Sequence, residues 1–131
     1  MNSQLQAGTI VTVLYKTGKY VGELIEIRER HGKGIVKVLA VLKHPTQGDL
    51  HNPFQTENVF FHQRKALAFN EKAAIPFSAI KPYNEEEIPE YKASLQQSIT
   101  LQQNELRAKN DQWSAMSLKQ LEELKNEYFK Q

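Results

Sequence analysis

The chain has 131 residues, of which 40% are hydrophobic and 24% charged, so it can bury a core and is not a disordered polymer. It contains no cysteine, which removes disulfides, thiolate metal sites, thiol catalysis and cysteine-linked lipid anchors, and accords with a reducing compartment. The formal charge of +2 is uneven: residues 1–82 carry 11 Lys/Arg against 6 Asp/Glu, and residues 83–131 carry 6 against 9.

The N-terminus MNSQLQAGTIV lacks a basic start leading into a long apolar run. No apolar stretch approaches the roughly 20 residues that cross a bilayer, so the expectation is a cytoplasmic protein without direct membrane insertion. All six glycines fall between Gly8 and Gly48, and beyond Pro89 there is neither glycine nor proline. Two parts follow, a β-rich unit at 1–82 and a helical extension at 83–131.

In chain order, the β-branched run TIVTVLY at 9–15, the glycine turn KTGK at 16–19 and YVGELIEIR at 20–28 predict a hairpin. A charged turn, RERHGKG, leads into IVKVLAVLKH, a third strand. Its alternation sets Val36, Val38, Ala40 and Leu42 on one face and Ile35, Lys37, Leu39, Val41 and Lys43 on the other. Residues 45–57, punctuated by Pro45, Gly48 and Pro53, form a long surface connection. NVFFHQRKALAF is expected as a fourth strand, FNEKA as a turn, and AAIPFSAIKPY as a strand end, a proline-led turn and a closing strand at 79–81. Five short strands at this spacing favour a small closed or half-closed barrel.

The tail changes period. Ile88, Tyr91, Leu95, Ile99 and Leu106 form a narrow apolar stripe, with a helix start expected near Glu87 or Ile88 because Pro89 fits only a first turn. NDQWSAM reads as a connector, and Ser117 with Gln120 as the capping box of a second helix whose face is Leu118, Leu121, Leu124 and Tyr128. The fold class is therefore α+β, a small barrel followed by a helical hairpin.

The candidate chemistry lies mostly in KHPTQGDLHNP at 43–53. His44, Asp49, His51 and His62 are the only residues from which a metal or acid–base cluster could be assembled, but zinc catalysis needs about three convergent ligands and the spacing matches no compact motif. No serine lies in a strand-to-helix elbow, and HGKG and KTGK lack the frame of a phosphate loop. No catalytic residue, cofactor or metal is assigned, and the protein is read as no enzyme. The long loop suits partner binding, through His51, Asn52 and Phe54 with His62 and Arg64 after it. Trp113 is either packing for the hairpin or an exposed anchor. The helical stripes leave a homo-oligomer open. Lys16, Lys19, Arg28, Arg30, Lys33, Lys37 and Lys43, beside Tyr15 and Tyr20, offer an alternative as a nucleic-acid-binding barrel, although Glu23, Glu26 and Glu29 interrupt that basic set.

The opening hairpin and the closing AIPFSAIKPY resemble SH3-like barrels, a fold that hosts many functions. The runs GDLHNP, VFFHQRKALAF and IKPYNEEEIPEYKASL with the two-helix tail resemble the kinase-associated protein B family of spore-forming bacilli, over almost the whole chain. The resemblance implies a noncatalytic accessory factor of a membrane sensor histidine kinase feeding the sporulation phosphorelay. It carries no residue-by-residue site. Family members have been called lipoproteins; with neither signal peptide nor cysteine here, membrane association is expected only peripherally, through the partner.

Overall fold

The computed structural model describes residues 5–48, 56 and 61–130. Five antiparallel strands, β1 (Ile10–Tyr15), β2 (Gly18–Arg28), β3 (Lys33–Lys43), β4 (Lys72–Pro76) and β5 (Ile80–Pro82), precede two helices, α1 (Tyr91–Lys109) and α2 (Gln112–Tyr128). The sheet order is β4-β3-β2-β1-β5. The two edge strands are thus consecutive in sequence, joined only by the 3-10 turn Phe77–Ala79. Five strands laid flat would put the edges roughly 19 Å apart, and a three-residue link spans about 10 Å at most. The sheet must curl into an SH3-like half-barrel, and no ladder closes β4 to β5.

The pairing register shows how the curl is built. Between Lys19↔Lys43 and Tyr20↔Val41, β3 contains the extra residue Leu42; between Val21↔Ala40 and Gly22↔Val38 it contains Leu39; between Leu24↔Val36 and Glu26↔Ile35, β2 contains Ile25. Each bulge bends its strand and increases its twist. The bulges also break the simple alternation expected of β3. Val36 and Val38 share the core face, consistent with the alternation, but so does Val41, which strict alternation put on the opposite face.

The first turn differs from a glycine turn. Tyr15 pairs with Gly18, so the two loop residues are Lys16 and Thr17, at φ 45° and 71°. A β-branched residue in left-handed backbone is strained. The Thr46 amide, donating to Thr17 Oγ1 at 2.9 Å, helps hold it there. Gly18 is required for space: a Cβ would lie 2.6 Å from the Tyr20 hydroxyl oxygen.

The fourth strand is not where the hydrophobic run placed it. Among the described residues, 61–69 makes no ladder, and the strand forms at Lys72–Pro76. The Gly48 amide donates to the His62 carbonyl at 2.9 Å, and side chains take several of the other backbone groups of 61–69. Gln47, buried, accepts from the Arg64 amide at 2.9 Å and donates to the Arg64 carbonyl at 3.0 Å, as a neighbouring strand would. The Ala66 and Leu67 amides donate to the hydroxyls of Tyr128 (2.9 Å) and Tyr20 (3.2 Å), and the Leu67 carbonyl accepts from Tyr91 (2.6 Å). Gln63 reaches Gln120 and Glu123, and Lys65 pairs with Glu127. The segment therefore runs along α2 and joins it to the sheet.

Both helices begin at acidic caps, away from the expected starts. Glu90 accepts from the Lys92 amide, so α1 starts at Tyr91; the residue before Pro89 is disfavoured in helical backbone, which leaves Ile88 outside. Asp111 accepts from the Ser114 amide at 2.7 Å, so α2 starts five residues before the predicted Ser117 and takes Trp113 into its first turn. Leu95 and Ile99 of α1 enter the same apolar cluster as Val11, Val13, Val36, Val38 and Val41, with Tyr128 and Phe129 against it. Ser94 and Ser98 are buried on the same helix, and Ser94 Oγ accepts the Val41 amide at 2.9 Å. Each fully buried leucine or isoleucine stabilises by roughly 1.5–3 kcal/mol. A smaller cluster, Leu106, Trp113 and Leu121 with Phe61 and Leu118, closes the far end of the hairpin.

Candidate functional site

His44 has no exposed surface, and both ring nitrogens are engaged. Nδ1 lies 3.0 Å from the Pro45 carbonyl, which can only accept, so Nδ1 carries the proton. Nε2 then accepts from the Tyr128 hydroxyl at 2.9 Å. That hydroxyl in turn accepts from the Ala66 amide, giving one directed chain from the 61–69 segment through α2 to the end of β3. Gln102 of α1 donates to the His44 carbonyl at 2.8 Å. Burial lowers the His44 pKa to about 4 and outweighs the opposing hydrogen bond to Pro45. Burial also raises the hydroxyls around this hub, Tyr20 to about 12, and Tyr91 and Tyr128 upwards as well. These groups are neutral near pH 7, and the structure uses them to join elements.

The other residues singled out in the sequence are dispersed. Asp49, His51, Asn52 and Phe54 lie outside the described residues. His62 is exposed; Arg64 is half-buried, its Nε donating to the Gly48 carbonyl at 3.1 Å. Trp113 is buried in the hairpin cluster, with the Lys109 ammonium 5.2 Å from its ring centre. Gly48, at φ 103°, leaves room beside it: a Cβ there would come within 3.1 Å of Phe61 and 3.5 Å of the Trp113 indole nitrogen. Among the described residues no three His, Asp or Glu side chains converge as a metal site.

What the sequence did not reveal is an apolar groove of about 800 Å³ where the 61–69 segment, the start of α1 and the end of α2 meet. Leu39, Ala68, Phe69, Ile88, Tyr91 and Leu95 line it. Phe69 and Ile88 stand 54% and 42% exposed, although large apolar side chains normally face inward, and the Phe69 ring lies 5.8 Å from that of Tyr91. The signal was present in sequence, since Phe69 precedes the turn residue Asn70 and Ile88 stands alone in an acidic run. Reading both as parts of regular elements concealed it. Beside the groove, Ile88 and Pro89 border a second depression shared with Tyr83, Glu85, Glu86 and Glu87.

An SH3-like half-barrel whose core is completed by a C-terminal helical hairpin, with an apolar groove at the seam, defines a small α+β protein of a recognisable type. The chain belongs to the family described as kinase associated protein B, which it matches over residues 15–129. It is 44% identical over 127 residues to the protein named kinase-associated lipoprotein B of Bacillus subtilis (strain 168), covering 97% of both chains. It is also similar to the crystal structure of kinase-associated protein B from Bacillus cereus, with a TM-score of 0.79 at 40% identity over 95% of this chain and 97% of that one. Among the described residues no helix is long and apolar enough to cross a membrane.

Proposed function

We propose that this chain is a noncatalytic accessory protein that binds a sensor histidine kinase and supports the phosphorelay leading to sporulation. The observation that carries the reading is the near full-length similarity to proteins named for association with a kinase. The chemistry agrees with it: the buried histidine and the tyrosine hydroxyls are spent on one another and on the backbone. The protein works in the cytoplasm and reaches the membrane through the kinase. Partner contacts are proposed at His51, Asn52 and Phe54 of the 45–57 loop and at His62 and Arg64 of the segment after it, with Trp113 holding the hairpin beneath Gly48.

Cross-linking in native cells followed by affinity purification tests the proposal. A histidine kinase is the expected cross-linked partner, and recovery of RNA or RNA-processing proteins in its place would support the nucleic-acid alternative. On the purified pair, Phe54→Ala is expected to weaken binding by about 1 kcal/mol or more while the melting temperature stays nearly constant.

A further inference from the structure

We infer that the groove between Phe69 and Ile88 is a docking site for a partner segment that presents bulky apolar side chains on one face and Lys or Arg beside them. The inference rests on the accessory reading for its premise that the occupant is a protein, and it supplies that protein's chemistry. Exposure is the first observation. Leu14, Phe69, Ile88 and Leu101 are the exposed large hydrophobic residues among those described, and two of the four border this single groove. Its floor is the half-buried Tyr91 ring and the buried Leu95, both held by the core behind them, so the surface is formed before anything binds. Preformed apolar surface of this kind lets a ligand bury its side chains without an ordering cost on the receptor side.

Charge selects the occupant. Glu85, Glu86, Glu87 and Glu90 are all exposed on the Ile88 side, and among the described residues none of the four is in an ion pair. Across the groove Lys65 is already paired with Glu127, which leaves Lys92 as the cation of the rim. The field around the apolar floor is therefore negative at one end. A segment with basic residues flanking its apolar face is attracted there, whereas an anionic lipid surface is repelled. Helix-in-groove docking meets both requirements with one amphipathic turn after another.

The test uses the full chain and two synthetic helices with leucine along one face, one carrying lysine on its flanks and the other glutamate. Titrations followed by calorimetry and by backbone amide NMR should show the lysine peptide binding, with shifts centred on residues 66–69 and 88–92, and the glutamate peptide binding far more weakly. Phe69→Ala with Ile88→Ala is expected to weaken the lysine peptide about tenfold or more. Glu85→Lys with Glu86→Lys and Glu87→Lys should do the same and invert the preference between peptides, a readout that does not depend on the apolar variant folding. Equal affinity for both peptides, or shifts elsewhere on the surface, would overturn the inference. So would groove-dependent binding to phosphatidylglycerol vesicles, or groove-dependent self-association in sedimentation in place of peptide binding. The two readings separate in the kinase experiment: a kinase retained in full by both groove variants removes the groove as its dock and leaves the accessory role standing. A groove that binds the lysine peptide as expected while no kinase is recovered with the intact chain does the reverse.

Discussion

At His44 the free energy of folding depends on pH. The unfolded imidazole titrates near 6.5 and the folded one near 4, so the fold has its full stability from this group above pH 6.5. As pH falls from 6.5 towards 4 the unfolded chain takes up a proton that the folded chain refuses, and up to about 3 kcal/mol is lost. Below pH 4 both states are protonated and the loss levels off. Urea titrations of the intact protein at pH 7, 5.5 and 4.5 should show this slope, and His44→Gln should flatten it while lowering stability at pH 7. At the alkaline end the sign reverses: Tyr20, raised from 10 to about 12, contributes below pH 10 and its contribution is lost as pH rises through 12. Tyr128→Phe removes the hydroxyl that receives the Ala66 amide and donates to His44. Leaving the buried His44 nitrogen and the part-buried Ala66 amide without this partner is expected to cost about 1–3 kcal/mol, measured as the shift in the urea midpoint at constant slope.

At the scale of elements, the segment 61–69 shows what a sequence conveys and what it conceals. The hairpin, the third strand and both helical stripes were legible because burial on one face imposes a period on local sequence. The 61–69 segment is just as apolar, with Phe61, Ala66, Leu67, Ala68 and Phe69, and so read as a strand. Beyond the local bonds of Ala68 with Glu71 and the Gly48 amide on the His62 carbonyl, its backbone is held by the side chains of Gln47, Tyr20, Tyr91 and Tyr128, from four separate places in the chain, and no local pattern encodes such a convergence. The helix starts failed for a related reason. Ser117 with Gln120 satisfies the capping pattern, yet Asp111 satisfies the same amide chemistry earlier, and the burial of Ser114 and Ser117 within α2 cannot be read from their polarity. Phe69 and Ile88 were each visible in sequence as stray apolar residues, but their meeting in one groove was not, because it forms only where the 61–69 segment, α1 and α2 come together over Leu39 of β3. Because Gln47 holds Arg64 by both its amide and its carbonyl, Gln47→Ala should loosen this one segment. The expected result is faster tryptic cleavage after Arg64 and Lys65, with a stability loss of about 1–3 kcal/mol, while cleavage within β1 and β2 stays slow.

For the molecule as a whole, the boundary after Pro82 separates two styles of sequence but not two cores. Leu95 and Ile99 of α1 are buried in the cluster that contains Val11, Val13, Val36, Val38 and Val41, and Tyr128 near the chain's end reaches back to His44 beside β3. The sheet is open between β4 and β5, so its concave apolar face depends on α1 for cover as well as on its own strands. Trp113, the single tryptophan, lies in the hairpin's outer cluster, which makes its fluorescence a probe of the helices, whereas the amides of β1 and β2 report on the sheet. A shared core requires both probes to lose their native signal at the same denaturant concentration, as one cooperative transition. Trp113 fluorescence and hydrogen exchange of the β1 and β2 amides, followed together through urea, should give coincident midpoints. A hairpin that unfolded at lower urea while the sheet amides stayed protected would instead show two separable units. In the same way, residues 1–82 produced alone should lack a sharp thermal transition and bind a hydrophobic dye, because removing α1 exposes Val38 and Val41 to water.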